Sequence, residues 1–529
     1  MHPKNFIAVI TIFLIGISSS LHAQTNQVYP LDFNPGKYET QIIKADSTSI
    51  TVRAYEKIIY VAKPVDTTYE VMNIYIPEAY FEGKSIHGYT AATAPIFFPN
   101  KIGGYMPGLP ATALQQKDDF PGGGMMPDGM PQPNGMRPPN DTNTMKRAQG
   151  GMGGPMGSKQ QSAVFTALSK GYIVASAGAR GRTTKDKTGI YTGKAPAAIV
   201  DLKAAIRYLK YNDAKMPGDA NKIISNGTSA GGAMSVLLGA TGNHADYEPY
   251  LKALGAAKAT DDIFAVSAYC PITNLDNADA AYEWQFNGVN SYVQRSMGMP
   301  TGSAGTSNVL SQQQIEVSEQ LKKLFPDYVN SLRLTDNRSN ALTLDENGNG
   351  TFKDWVKSFV IASAQKALDK GTNLSSLDWI INSNSKITDI DFDAYVRYMQ
   401  RMKTPPAFDA LDLSTGEDQL FGTSSIDKQH FTKFASDYST VKVTTADKTV
   451  VKMMNPMYYI GQSKTAVSKY WRIRHGTKDK DTGLGIPVIL ATCLQNKGYN
   501  VDFALPWDKP HSGDYDLDEL FAWIDSICK

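Results

Sequence analysis

The chain has 529 residues, long enough to bury a large core in one domain with insertions or in two domains. Its 53 Lys and Arg nearly balance its 51 Asp and Glu, and like charges form no run. This balance argues against a nucleic-acid partner, because nucleic-acid-binding proteins carry clustered positive charge. The composition leaves the oligomeric state open.

The N-terminus has the pattern of a secretory signal. Lys4 precedes an apolar run over residues 6–17, and a small polar stretch then leads to Ala23. An anchoring helix is the weaker interpretation, because the apolar run is too short to span a bilayer comfortably. The sequence therefore predicts a signal peptide at residues 1–23 and an exported protein, periplasmic or secreted, without stable membrane insertion.

The first strands follow the signal. Residues 38–76 alternate apolar and polar side chains, which indicates antiparallel strands at the edge of a sheet. Residues 94–99 form a continuous apolar run typical of a buried strand, and Gly103 and Gly104 follow it. A double glycine after an early strand is either a plain turn or a loop whose backbone N–H groups face a site.

Residues 121–157 differ from the rest of the chain in composition. Proline and glycine dominate, aromatic residues are absent, and seven methionines occur without fixed spacing. Such a segment cannot bury enough apolar surface to fold alone, so we predict a mobile surface insertion. A second interpretation is Cu(I) binding by the methionine thioethers.

Helical and strand patterns alternate after this insertion, and again from residue 469 to the C-terminus. Strands that alternate with helices predict a doubly wound, mostly parallel sheet, with its site at the carboxyl ends of the strands. Residues 276–464 interrupt the alternation with mainly helical patterns. We therefore predict a catalytic domain in two parts, residues 24–275 and 465–529, with a lid insertion at 276–464.

Two features bear on metal sites and disulfides. Asp345 opens an acidic, glycine-rich run like a calcium loop, but its twelfth position is Val356 instead of glutamate, so a hairpin turn between residues 341–344 and 351–355 is the better interpretation. Of the three cysteines, Cys270 ends a strand pattern and should be buried, whereas Cys493 and Cys528 lie in the last helical patterns, where pairing is open. No C-x-x-C spacing indicates zinc.

The sequence around Ser229 is typical of a serine nucleophile. Residues 227–231 read Gly-Thr-Ser-Ala-Gly, a G-x-S-x-G motif between a strand pattern and a small-residue helix. In an α/β-hydrolase fold this motif places the serine on a sharp strand-to-helix turn beside a helix N-terminus. We therefore predict acyl transfer at Ser229.

The serine needs a base and a carboxylate that orients the base. His511 lies between the last strand and the last helix, where an α/β-hydrolase carries its base. His475 lies inside the preceding turn and is interpreted as structural. Asp479, four residues after His475, is the predicted acid, and Asp481 is the rival.

The remaining part of such a site is an oxyanion hole. The backbone N–H of Ala230, at the start of the helix, is the predicted first donor, and Gly103 or Gly104 is the predicted second donor. This chemistry requires neither a metal nor a cofactor.

Four segments together resemble the bacterial tannases, which are serine esterases of the α/β-hydrolase fold that cleave galloyl esters. These segments are residues 95–108, 227–251, 473–482 and 507–524. The resemblance covers both ends of the catalytic domain and, more loosely, the insertion. It implies that Lys403, Glu417 and Asp481 bind the galloyl ring, and it matches the acid-to-base spacing of Asp479 and His511.

This implied ring site makes chemical sense, because the three adjacent hydroxyls of gallate pair well with two carboxylates and an ammonium. A small-molecule or polyphenol galloyl ester is thus the expected partner, and a feruloyl or other aryl ester is the alternative substrate. Fungal tannases and feruloyl esterases carry cysteines where this chain has Thr228 and Ser512, so their disulfide does not apply. A prolyl-oligopeptidase-like peptidase would share the fold, but the chain lacks propeller repeats. A non-catalytic copper-binding protein is the rival from a different class.

Overall fold

The computed structural model of the chain describes residues 27–45, 47–113, 162–294 and 306–529. The predicted signal peptide and the insertion at residues 121–157 lie outside the described residues, so the predictions of export, mobility and copper binding stay predictions. Within the described parts, no helix is long and apolar enough to cross a membrane.

Strands of the described chain form one large sheet and two small hairpins. Their bounds are β1 (Glu39–Ala45), β2 (Thr48–Ile59), β3 (Val71–Pro77), β4 (Pro95–Pro99), β5 (Ile173–Ala177), β6 (Asp219–Thr228), β7 (Ala265–Tyr269), β8 (Ser291–Gln294), β9 (Thr306–Val309), β10 (Ile380–Ser383), β11 (Lys386–Ile390), β12 (Tyr470–Arg474) and β13 (Asn500–Ala504).

The large sheet has nine strands in the order β1-β2-β3-β5-β4-β6-β7-β12-β13. The first four pair antiparallel, and all later neighbours from β5 to β13 pair parallel. Strands β4, β5 and β7 are buried along their whole length, as expected of parallel strands covered on both faces. The predicted doubly wound, mostly parallel sheet of an α/β-hydrolase is confirmed.

The helices cover the sheet and form most of the insertion. Their bounds are α1 (Ala163–Ser169), α2 (Ala197–Tyr211), α3 (Ala230–Ala240), α4 (Glu248–Ala253), α5 (Leu275–Phe286), α6 (Gln312–Lys322), α7 (Phe325–Ser331), α8 (Thr351–Asp369), α9 (Phe392–Met399), α10 (Gly416–Leu420), α11 (Lys433–Asp437), α12 (Lys448–Met453), α13 (Gly485–Asn496) and α14 (Leu517–Cys528).

The range predicted as a lid, residues 276–464, contains helices α6 to α12 and the hairpins β8–β9 and β10–β11. Its aromatic side chains join the same apolar core as the sheet. Phe359 of α8, for example, packs on Phe503 of β13 at 4.8 Å, and Trp379 packs on Trp507 at 5.9 Å between ring centroids. This range is thus mainly helical and packs against the large sheet.

The hairpin predicted around Asp345 is wrong. The Asp345 carboxylate accepts hydrogen bonds from the backbone N–H groups of Asn347 and Asn349, each at 2.9 Å, and so closes a local turn. Residues 351–355 then begin α8 instead of a strand, because apolar residues three to four apart bury one face of that helix against the core. Asp345 thus closes the turn that leads into a helix.

The three cysteines are free. Cys270 is buried, as predicted, and the open pairing of Cys493 with Cys528 is not formed in this structure. Burial raises the pKa of the Cys528 thiol to about 12, so this thiol stays protonated at neutral pH.

Candidate active site

Ser229 occupies the sharp corner between β6 and α3. Its backbone has φ 61° and ψ −123°, a strained conformation for a residue with a side chain. The strain is held by hydrogen bonds on both sides: the Ser229 N–H donates to Tyr269 O at 3.0 Å, and its carbonyl accepts from Ala233 N at 2.9 Å and from Ile272 N at 3.2 Å. The corner therefore keeps the serine at the carboxyl end of the parallel strands.

Both glycines of the motif are required, because neighbouring atoms leave no room for a side chain at either position. A Cβ on Gly227 would lie 2.3 Å from the carbonyl oxygen of Gly231, and a Cβ on Gly231 would lie 2.7 Å from Asn100 Oδ1. The buried Asn100 side chain donates to Gly231 O at 3.0 Å and to Ser235 Oγ at 3.0 Å. The loop after strand β4 is thereby bonded to α3, the helix that follows Ser229.

The predicted base and acid form a hydrogen-bonded pair. His511 Nδ1 lies 2.8 Å from Asp479 Oδ2, and the Asp479 side chain is fully buried while that of His511 is 15% exposed. Burial alone would raise the pKa of Asp479, but the positive charge of His511 and its hydrogen bond outweigh burial, and the pKa falls to about 2. Asp479 is therefore ionised and orients His511. Asp481 Oδ2, at 3.7 Å from His511 Nδ1, is the weaker partner.

The other ring nitrogen of His511 lies beside the turn that supports Ser229. His511 Nε2 is 4.0 Å from Cys270 Sγ, and the thiol donates to Ser512 O at 3.4 Å. Ser229 contacts the same turn through Tyr269 and Ile272. Within the described residues the Ser229 hydroxyl makes no hydrogen bond to His511. The three predicted residues thus share one site, with the pair Asp479–His511 already bonded.

His475, predicted as structural, faces the acid directly. It is completely buried, its Nδ1 lies 3.6 Å from Asp479 Oδ2, and neither ring nitrogen has a hydrogen-bond partner among the described residues. Burial lowers the pKa of His475, so the imidazole stays neutral. Its spacing of four residues from Asp479 was the signal for this proximity.

The predicted oxyanion loop is a tight turn. Met106 N donates to Gly103 O at 2.9 Å, and the two central residues, Gly104 (φ 54°) and Tyr105 (φ 57°), are both left-handed, as in a type I′ turn. The Tyr105 hydroxyl donates to Ile272 O at 2.6 Å, next to the Ser229 corner. The N–H groups of Gly103 and Gly104 have no acceptor within the described residues, which suits donors awaiting an oxyanion.

Two of the three implied ring-binding residues contact each other beside His511. Lys403 Nζ lies 3.6 Å from Asp481 Oδ1, and Asp481 Oδ2 in turn lies near His511. Lys403 also lies over the ring of Phe408, at 4.0 Å from its centroid. The side chains of Lys403 and Asp481 are 22% and 26% exposed, so both are accessible beside His511.

Glu417 lies on another side of the site, in the first turn of α10. Burial and then the Glu417 charge raise the pKa of Tyr105, and the same charge acts on the guanidinium of Arg182. Glu417 is therefore close to the oxyanion turn, whereas the described structure shows no contact between Glu417 and either Lys403 or Asp481. The sequence does not predict a role for Arg182, because nothing distinguishes it within an ordinary polar loop.

Two clusters contain residue types that bind metals. Cys270, Asp479 and His511 form one and belong to the site just described. Asp409, Asp418 and His430 form the other, buried in the lid. Most oxygens of this second cluster are already used: His430 Nδ1 lies 2.6 Å from Asp409 Oδ1, and Asp409 Oδ2 accepts two N–H groups and a hydroxyl. Hydrogen bonds within the lid thus account for this second cluster.

Known proteins resemble this chain over nearly its whole length. A family model described as BD-FAE matches residues 151–318, and a search of curated proteins found no match. The chain is similar to Fusobacterium nucleatum tannase, with 49% identity, a TM-score of 0.82 and coverage of 95% of this chain and 100% of that one. It is similar to the tannin acyl hydrolase from Lactobacillus plantarum, with 44% identity, a TM-score of 0.82 and coverage of 94% and 99%. A tannin acyl hydrolase in complex with ethyl gallate matches with the same four values.

Proposed function

Because this chain belongs to the bacterial tannases and is a carboxylic-ester hydrolase of the tannase and feruloyl esterase type, we propose that it is an exported serine esterase that hydrolyses galloyl esters to gallic acid. The observation that carries this proposal is the position of Asp481, which lies beside both the triad histidine and Lys403. A single carboxylate thereby connects the predicted chemistry with the predicted ring site.

The reaction proceeds in two steps. His511 Nε2 takes the proton of Ser229 as the hydroxyl attacks the ester carbonyl, and the N–H of Ala230 with one from Gly103 or Gly104 stabilises the oxyanion. The intermediate collapses, His511 gives its proton to the leaving alcohol, and a galloyl ester of Ser229 remains. Water, activated by His511, then releases gallic acid and restores the serine.

Asp479 supports both steps. Its carboxylate accepts from His511 Nδ1, so the opposite nitrogen, Nε2, is the one that faces the nucleophile. The ionised carboxylate also stabilises the imidazolium that forms when His511 takes the serine proton. His475, neutral and close to Asp479, adds no charge to the site.

Ring recognition rests on charge-assisted hydrogen bonds. Lys403 donates to a phenolic oxygen, and Glu417 and Asp481 accept from phenolic hydroxyls. A ferulate ring has a methyl group on one of these oxygens and would leave one of these carboxylates without a donor once the bound ring covers it. Sites of this kind discriminate by about 10⁴-fold or more. The relative bound to ethyl gallate supports a site for this ring.

The test is hydrolysis of methyl gallate and methyl ferulate by the same preparation. We expect kcat/KM to be higher for methyl gallate by about 10⁴-fold, because only gallate satisfies every polar group. Ser229→Ala should abolish the enzymatic hydrolysis of both esters. Comparable rates on the two esters would refute the galloyl assignment and favour a feruloyl or general aryl esterase.

The domain limits and the export belong to the same proposal. Residues 24–275 and 465–529 would form the catalytic domain, and residues 276–464 the lid that carries Lys403 and Glu417. N-terminal sequencing of the mature protein from a secreting host should begin at Gln24. A mature protein that keeps Met1 would contradict the signal peptide.

A further inference from the structure

Arg182 lies in the loop after β5 and contacts the oxyanion turn twice. Its Nε donates to the carbonyl oxygen of Gly104 at 2.9 Å, and its backbone N–H donates to Tyr105 O at 2.9 Å. These carbonyls belong to the two left-handed residues at the centre of the turn. The peptide planes of these two carbonyls carry the N–H groups of Tyr105 and Met106, and Met106 N–H donates to Gly103 O. Arg182 therefore fixes the turn on which the N–H groups of Gly103 and Gly104 lie.

The same guanidinium contacts the lid. Its Nη1 donates to Gln419 Oε1 on α10, and Gln419 Nε2 donates to Asp427 Oδ1 at 2.9 Å. Lys194 completes this side, with its ammonium 2.8 Å from Gln419 O and 2.9 Å from Asp427 Oδ1. The Arg182 side chain therefore ends in a network of lid groups that are themselves hydrogen-bonded.

A glycine at the start of α10 leaves space for the Arg182 side chain. Gly416 is the first residue of α10, and a Cβ there would lie 3.0 Å from Arg182 Cζ. Glu417, the next residue, is close enough for its charge to act on the guanidinium. Arg182 thus lies between the turn that carries the predicted oxyanion donors and the helix that carries a predicted ring ligand.

We propose that Arg182 is a positioning residue that couples the oxyanion turn to the lid. It fixes the Gly104 carbonyl with one nitrogen and α10 with another, so that the oxyanion donors and Glu417 are held in one arrangement. A planar guanidinium is required, because its N–H donors point in different fixed directions and can bond the turn and α10 together. A lysine ammonium is a single compact charge and cannot make both bonds. The proposal rests on the proposed function only for the roles of Gly103, Gly104 and Glu417.

The test compares two substrates, methyl gallate and 4-nitrophenyl acetate, which lacks ring hydroxyls on its acyl group. Arg182→Ala should lower kcat on both esters by about 10- to 100-fold. This decrease in kcat is no larger than the one expected when a whole oxyanion donor is removed. It should also raise KM for methyl gallate, because Glu417 loses its support. Millimolar guanidinium added to Arg182→Ala should restore part of kcat, and methylammonium should not.

Two further variants complete the test. Arg182→Lys keeps the charge but loses the fork, so its kcat should fall nearly as far as that of Arg182→Ala. Arg53→Ala is the matched control, because Arg53 on strand β2 is also a partly buried arginine and is bonded to Glu78 at 2.8 Å, away from the site. Arg53→Ala should leave kcat on both esters unchanged.

The outcomes separate this proposal from the proposed function. A wild-type kcat for Arg182→Lys on both esters overturns the coupling, even if Arg182→Ala does not fold. An effect confined to KM for methyl gallate also overturns it, because the oxyanion turn would then be unaffected. If the wild-type enzyme cleaves only the acetate, the galloyl assignment fails, and the role of Arg182 is still decided by kcat on the acetate.

Discussion

One neighbour, Asp479, contributes most to the charge state of His511. Burial by itself lowers the pKa of His511, but the adjacent Asp479 carboxylate outweighs burial and holds that pKa well above its ordinary value. His511 must lose its proton to act as a base, so activity should rise with pH through this raised pKa. The acid limb of the pH profile therefore reports the Asp479–His511 bond directly.

Asp479→Asn should change both the rate and the pH profile. The imidazolium loses its stabilising charge, so the pKa of His511 falls and the acid limb of kcat/KM moves to lower pH. We also expect kcat to fall by about 10⁴-fold, because the amide no longer selects the required tautomer. The measurement is kcat/KM for 4-nitrophenyl acetate against pH.

A matched control for this carboxylate is Asp336→Asn. Asp336 makes its hydrogen bonds within an exposed turn of the lid, so its loss should leave the profile unchanged. An acid limb that stays at the wild-type pH in Asp479→Asn would contradict the assignment of Asp479 as the carboxylate that raises the pKa of His511.

At the scale of elements, the loop that carries His511 packs tightly against the corner between β6 and α3 that holds Ser229. A Cβ on Gly513 would lie 1.9 Å from Thr228 Oγ1, so no larger residue fits without moving β6 or the histidine loop. Gly513→Ala should therefore lower kcat by about tenfold or more, because small misplacements of catalytic groups are costly.

Removal of the clashing atom tests this explanation. Thr228→Ala in the Gly513→Ala background should recover part of kcat, since the nearest remaining Thr228 atom lies 3.0 Å from the added Cβ. Gly36→Ala is the control, because its added Cβ would have an ordinary 3.4 Å contact with Asn34. Equal kcat values in Gly513→Ala and the wild type would show that the loop tolerates this displacement.

The elements themselves differ in how far they could be predicted. The sheet and the Ser229 corner follow from local patterns: apolar runs make buried strands, and glycines two residues either side of the serine permit the close contact. Helix α8 was misread at its start, because the acidic, glycine-rich run before it resembles a hairpin turn. The pairing of Asp479 with His511 was predicted from chain order, and the structure brings them together.

Other parts of the site could not be read from sequence in the same way. Lys403 and Glu417 were named only through a family resemblance, because a solvated surface lysine or glutamate has the same local pattern. Arg182 had no signal at all, since the two partners of its side chain, Gly104 and Gln419, are 78 and 237 residues away along the chain. Long-range contacts of this kind are set by packing of the whole domain.

At the scale of the whole molecule, the lid contains a carboxyl group that should make stability depend on pH. Asp418 is completely buried, and its Oδ1 has no hydrogen-bond partner in the described structure. Burial, with a smaller contribution from the neighbouring Asp409, raises the pKa of Asp418 from 3.8 to about 9. Asp418 is therefore protonated in the folded protein at neutral pH and ionised in the unfolded chain.

The sign of the effect follows from proton linkage. Between pH 3.8 and about 9 the folded state holds a proton on Asp418 that the unfolded state has released. The free energy of unfolding should therefore decrease as pH rises through this window. Asp418→Asn removes this titrating group, so the free energy of unfolding should depend less on pH. The measurement is the free energy of unfolding of both proteins at several pH values. Asp437→Asn is the control, because Asp437 is a surface residue paired with Lys433, and it should keep the wild-type dependence of unfolding free energy on pH. The same wild-type dependence in Asp418→Asn would contradict this explanation.

The central claim, that triad and ring site act on one galloyl ester, is tested most directly by a crystal structure of Ser229→Ala with methyl gallate bound. We predict that Lys403, Glu417 and Asp481 lie within about 3.2 Å of the three phenolic oxygens. The ester carbonyl oxygen should accept from the N–H of Ala230. A ring bound with its hydroxyls directed away from these three side chains, or an ester outside reach of Ala230, would contradict it.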